Sequence, residues 1–264
     1  MFHLIVTCVN GKTIEGPSIR DTIQASSNDN YPNNIDYLYN QWKKNLINRI
    51  NKNETRKAFD LYQGGMWSAS IKAYDTINEP KKLWVISCGY GFINADQNIS
   101  GYKATFGSAK PDSIFKIDYN YFTQSKLIVH KSWWDKLIEQ PIIQTENPTS
   151  IHELVNNAKS EDIILICAGN DYYEAIYNDL LEIRNTCPRI VIVGIQKRGD
   201  NNFIPDLPPN LVQFIKPYRD RDELMNQLKD TFGRCNRTQL HPKSAQYLIK
   251  SYNDTGRFDH MLPA

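Results

Sequence analysis

"DIILICAGNDYYEAIYNDLLEI", residues 162–183, follows Asp162 with an unbroken apolar run from Ile163 to Cys167 and then changes period. Ile163 to Cys167 do not alternate with polar residues, so the strand they predict is buried on both faces, as in a parallel sheet. After Gly169, the residues Tyr173, Ile176, Leu180, Leu181 and Ile183 recur at helical spacing. A second continuous apolar run, Ile190–Val193, follows, so residues from about 160 to 215 read as a β-α-β unit.

Two more runs of the same kind lie upstream, Leu4–Cys8 and Leu83–Cys88, and a weaker one, Leu211–Ile215, follows Pro205, Pro208 and Pro209. Helical spacing of Ile35, Leu38, Trp42, Leu46, Ile47 and Ile50 separates the first two. Alternating strands and helices predict an α/β fold: a single mostly parallel sheet with helices on both faces, as one domain spanning residues 1–264. Residues 221–253 read as two C-terminal helices, broken near Gly233 and restarted near His241-Pro242.

Composition narrows the function. Lys and Arg total 31 against 29 Asp and Glu, a balance that does not announce a nucleic-acid partner and leaves room for a local basic face. No apolar run approaches a membrane span or a signal-peptide core, and the five cysteines form no CxxC pair. A cytoplasmic protein without membrane or disulfide framework is expected.

In open parallel sheets, ligands bind outside the carboxyl ends of the strands. Here those ends carry Asn10, Gly11 and Lys12, then Gly89, Tyr90 and Gly91, then Gly169, Asn170, Asp171 and Tyr172. The second end leads into about twenty polar residues that contain Asp96, Tyr102, Thr105 and Phe106, a length that in compact domains usually carries function. Gly89 and Gly91 are expected to bring backbone close to a ligand. Asp96 and Asp171 each have an alternative reading as helix caps. Cys8, Cys88 and Cys167 share equivalent strand ends, but no histidine accompanies them, and they read as small apolar residues rather than metal ligands. The chain has no GK[ST] phosphate loop and no GxSxG elbow, which argues against nucleotide hydrolysis and serine-triad chemistry.

Two stretches are basic: Lys43, Lys44, Arg49, Lys52, Arg56 and Lys57, and later Lys229, Arg234, Arg237, Lys243 and Lys250. Such runs are ordinarily solvated helix faces. With 15 Tyr and 5 Trp in the chain, they also suit a surface that holds phosphates while aromatics stack a base.

The segments "LIVTC", "DLYQGGMW", "WVISCGYGFINADQNISGYKATF" and "ILICAGNDYYEAI" together resemble the YaaA-like group. Gly91, Asp96, Tyr102, Thr105 and Phe106 fall on positions of its middle block, and Gly169 and Tyr172 on its later strand end. Gly101 and Lys103 depart from the pattern. The resemblance implies a uracil-DNA-glycosylase-type fold and work on bases within nucleic acid, with phage-defence glycosylases as further relatives.

The expected function is therefore a DNA glycosylase that hydrolyses the N-glycosidic bond of a modified or damaged base, in defence against phage with modified DNA. Asp96, with Asp171 second, would be the catalytic carboxylate. Asn10 and Asn170 would read the base, and Tyr90, Tyr102 and Tyr172 would wall it. Lys12, Gly89, Gly91, Thr105 and Phe106 would complete the substrate site. Lys43, Lys44, Arg49, Lys52, Arg234, Arg237 and Lys243 would hold the DNA backbone. This chemistry calls for no metal or organic cofactor. A non-catalytic DNA-binding stress protein and a base-exchanging tRNA transglycosylase are the alternatives.

Overall fold

The computed structural model describes residues 1–28, 34–107, 110–115, 124–195, 215–218 and 221–258. The first half contains β1 (Phe2–Thr7), α1 (Ile19–Asn28), α2 (Ile35–Asn51), β2 (Thr55–Lys57), α3 (Ala58–Leu61) and α4 (Gly65–Asp75). Next come β3 (Lys81–Ser87), β4 (Gly91–Asn94), β5 (Asn98–Ser100), α5 (Lys126–Glu139) and α6 (Ile151–Asn156). The last part holds β6 (Ile163–Cys167), α7 (Asn170–Ala175), α8 (Tyr177–Leu181), β7 (Arg189–Ile195), β8 (Ile215–Tyr218), α9 (Arg221–Phe232) and α10 (Leu240–Thr255).

Among the described residues, six strands form one sheet in the order β4-β3-β1-β6-β7-β8. The five from β3 to β8 are parallel, and β4 runs antiparallel along the β3 edge. The four continuous apolar runs all lie in this sheet, as their pattern predicts. Leu4 is in register with Leu83 on one side and Leu165 on the other. Every residue of β1 and β6 is buried, so both faces of the central strands are covered. On one face α10 packs along α4 and touches β6 and β7, with Tyr252 edge-on to Phe2. A second helical layer is built on α5, which packs against α2, α7 and α8 and touches β4.

Local chemistry sets the helix limits. Asn34 caps α2 by accepting from the Tyr37 amide at 2.9 Å, and Leu38, Trp42 and Leu46 bury one stripe of it. Gly233 (φ +72°) ends α9 and Gly256 (φ +70°) ends α10, both left-handed positions. Pro242 sits in the first turn of α10, where its missing N–H costs nothing. The spacing from Tyr173 to Ile183 resolves into two short helices with a break at Ile176. Of the weaker strand expected at 211–215, Ile215 opens β8, and residues 211–214 lie outside the described residues.

The long polar loop expected after β3 is corrected in part. Ser87 Oγ accepts from the amides of Gly89 and Tyr90 at 3.3 and 3.1 Å, and Gly91 turns at φ +81°. That tight turn sends residues 91–94 back along β3 as β4, and β5 then pairs with β2. Trp84 and Phe92 stack across the pair with centroids 5.1 Å apart.

Candidate active site

The chain passes from β1 to β3 on one side, then crosses to β6 on the other, so the strand order reverses between β1 and β6. Such a switch point leaves a crevice at the carboxyl ends. Cys8 extends β1 by one residue, its amide donating to the Ile86 carbonyl at 3.0 Å. Its Sγ lies 3.3 Å from the hydroxyl of Tyr172, in the first turn of α7, so one contact spans the switch point. The same hydroxyl is 3.2 Å from Thr105 Oγ1, and Phe106 stands edge-on to the Tyr172 ring at 5.3 Å.

A second run of hydroxyls lies beside the first. Tyr102 Oη is 2.7 Å from Ser87 Oγ and 2.9 Å from Tyr62 Oη, while Tyr90 Oη meets Ser100 Oγ at 2.6 Å. Burial drives the phenols of Tyr62, Tyr102 and Tyr172 well above their ordinary range and that of Tyr90 to about 12, so all four are neutral.

Above this layer sits Lys12. Its ammonium lies 3.9 Å from the centroid of the Tyr102 ring and 5.4 Å from that of Tyr62, and it donates to the Val9 carbonyl at 2.8 Å. Burial pulls this amine down to about 8, against the opposing influence of Cys8, Cys88 and Asp112.

At the β6 end, Asn170 and Asp171 open α7 and are half-exposed. The side-chain amide oxygen of Asn170 is buried and has no hydrogen-bond partner among the described residues. Asp171 pairs with Lys126 at 2.8 Å, and Lys126 also reaches Glu174 at 2.8 Å. Burial works against the Lys126 charge, but the two carboxylates more than offset it and raise its pKa. His241, at the start of α10, faces Gly169, and burial holds it neutral, with its pKa near 4. On the other side, His130 is fully buried against Phe106 at 5.3 Å, and among the described residues neither ring nitrogen has a hydrogen-bond partner.

The structure thus gathers Lys12, Gly89, Tyr90, Tyr102, Thr105, Phe106, Asn170, Asp171 and Tyr172 at one end of the sheet. Their parts differ from the expectation in several respects. Tyr90, Tyr102 and Tyr172, expected as the wall, are core residues at 3%, 1% and 9% exposure, and Phe106 is fully buried, so these rings floor the site. Gly89 serves that floor: a Cβ there would sit 2.6 Å from the Tyr102 ring, so the close approach is to a tyrosine and not to a ligand. Gly91 makes the turn into β4. Asn10 is exposed on the loop after β1.

Asp96 is not brought to this end. Because β4 runs back along β3, with Asn94 opposite Trp84, Asp96 lies toward the amino end of the strands. It is exposed, paired with Lys57 at 3.3 Å, and lines a separate hollow of about 280 Å³ with Tyr74 and Asp60. Sequence reasoning missed Lys126, His130 and His241, whose positions depend on helices remote in the chain; only the restart at His241-Pro242 hinted at the last.

The cations meant for a DNA backbone divide. Lys44, Lys52 and Arg234 are exposed, as is Arg56. Arg49 is held by Glu54 and the Glu15 carbonyl, both at 2.6 Å, and Lys43 donates to the Gln140 carbonyl at 3.2 Å. Lys243 corrects the expectation: it is 6% exposed and donates to the Phe232 and Gly233 carbonyls at 3.3 Å, as well as to that of Arg234, and so caps the end of α9. Arg237 lies in a short 3-10 turn before α10.

One histidine does approach a serine. His152 Nε2 is 3.5 Å from Ser150 Oγ, and its Nδ1 is 2.8 Å from Asp179. Ser150 is 3% exposed and its Oγ accepts from the Glu153 amide, so it is a helix cap and no nucleophile. Among the described residues no cluster of three or more His, Cys, Asp or Glu is placed to hold a metal, and no helix is long and apolar enough to cross a membrane.

Fold and site together define an α/β protein of the doubly wound strand order, its polar side chains gathered at the switch point. No protein-family model matches the chain, and no curated protein matches it.

Proposed function

We propose that this protein is a DNA glycosylase of the uracil-DNA-glycosylase/YaaA-like type that removes a modified base by hydrolysing its N-glycosidic bond. The observation that carries this reading is the buried amide oxygen of Asn170, which has no hydrogen-bond partner among the described residues and is set at the switch point beside a carboxylate. An unpaired buried acceptor is costly unless a ligand donates to it. An extruded base offers such a donor along its pairing edge.

Asp171 takes the role of the carboxylate that stabilises the oxocarbenium-like sugar or directs water to it. Lys126 and Glu174 fix its position. Asp96, exposed and paired away from the site, is the weaker candidate. The exposed cations Lys44, Lys52, Arg56 and Arg234 would meet phosphates.

The test is incubation with phage DNA carrying glucosylated hydroxymethylcytosine and, in parallel, uracil-containing DNA, with released base and alkali-labile sites measured. Release from either supports the reading. Binding without release from any modified DNA would replace it with a non-catalytic DNA-binding protein, and incorporation of labelled base into tRNA with base exchange.

A further inference from the structure

We propose that Lys12 is a carbonyl-reactive amine that captures the sugar aldehyde left by base removal as an imine, giving the protein a strand-cleaving activity at abasic sites. This inference rests on the reading of the site as a base-removing centre.

Position comes first. Lys12 follows β1, the strand on one side of the switch point, and its Nζ lies over Tyr102 at 3.9 Å with its stem half-buried. The Val9 carbonyl holds it at 2.8 Å, which fixes its direction without neutralising it. Among the described residues it forms no ion pair, in contrast to Lys57, Lys103, Lys126 and Lys136, each of which is matched to a carboxylate. A buried structural lysine is ordinarily paired or, like Lys243, satisfied by several carbonyls, because an isolated ammonium is costly to desolvate, whereas Lys12 has the single bond to Val9. Desolvation without a counter-charge is also what makes a lysine nucleophilic near neutral pH, and burial brings this amine down to about 8.

The chemistry balances without an added oxidant. The Nζ lone pair attacks C1′ of the ring-opened deoxyribose, the N–C bond forms, and the carbonyl oxygen leaves as water. The protonated imine acidifies C2′; its proton passes to water, and the C3′–O bond breaks with the phosphate as leaving group. Hydrolysis of the imine returns the free amine.

The experiment uses the full chain with a duplex carrying one abasic site, in sodium cyanoborohydride, which adds hydride to an imine and leaves a stable secondary amine. The expected result is a denaturation-resistant protein–DNA adduct whose modified peptide contains Lys12, falling at least tenfold in Lys12→Gln and in Lys12→Arg. Lys12→Arg keeps the cation over the ring, and circular dichroism confirms that each variant folds. An adduct on another lysine, an adduct undiminished in both variants, or no adduct overturns the proposal. Base release without an adduct would sink this inference and leave the glycosylase reading standing. An adduct on abasic DNA without base release from modified DNA would do the reverse.

Discussion

At Gly89 the missing side chain is occupied space: the Tyr102 ring lies where a Cβ would sit. Gly89→Ala should therefore destabilise the protein by about 1–3 kcal/mol through overpacking, read as a lower urea midpoint with unchanged m. An unchanged midpoint would mean the tyrosine layer is loose. Tyr102→Phe removes one hydroxyl from both Ser87 and Tyr62, and leaving buried partners unsatisfied should cost about 1–3 kcal/mol. The histidines set the acid response. His3 and His130 are buried and His241 is half-buried, and all three are neutral, each with its pKa lowered by desolvation to about 4. The unfolded chain binds their protons first, so their contribution is present above about pH 6.5 and lost as pH falls toward 4. His152 behaves oppositely. Its hydrogen bond to Asp179 raises its pKa, so its contribution is full below about pH 6.5 and lost as pH rises through the higher folded value. Urea titrations from pH 4.5 to 8 should show His130→Phe flattening the acid limb and His152→Asn the alkaline one; parallel curves for wild type and variants would refute both.

Among the elements, the strands that could be read in the sequence are those buried on both faces, because a continuous apolar run needs no partner to be recognised. Leu4, Leu83 and Leu165 line up across three of them. β4 and β5 escaped that reading because Gly91–Asn94 and Asn98–Ser100 are too short to show a period. Their existence depends on a turn made by Ser87 Oγ, a contact that no spacing rule anticipates. Missing the fold-back displaced Asp96, since a carboxylate expected at the carboxyl edge is carried to the far end of β3. The strand ends at Lys12 and at Asn170–Asp171 were legible because they follow directly from β1 and β6. Lys126 was not, because α5 is brought to α7 by tertiary packing and the Lys126 ion pairs, neither of which local spacing shows. Lys243 misled for a related reason: its charge looks solvated in the sequence but caps α9 in the fold. Lys243→Gln should lower thermal stability and leave any DNA affinity's salt dependence unchanged. A changed salt slope with normal stability would return it to the surface.

For the molecule as a whole, the proposed DNA-binding face has a definite footprint. Replacing Lys44, Lys52 and Arg56 together with Gln should weaken binding and reduce the log–log salt slope by about 0.9 for each phosphate no longer neutralised. An unchanged slope would make α2 and the turn after it a solvated face. The proposed function puts its chemistry at the β1/β6 switch point, and its central claim is that Asp171, and not Asp96, carries catalysis there. The most direct measurement is single-turnover base release from modified DNA by Asp171→Asn and Asp96→Asn beside the wild type. Preorganised charge of this kind is worth on the order of a hundredfold or more in rate. The account predicts that Asp171→Asn loses at least that factor while still folding and binding DNA, and that Asp96→Asn stays close to wild type. Full activity in Asp171→Asn, or loss in Asp96→Asn alone, would contradict it.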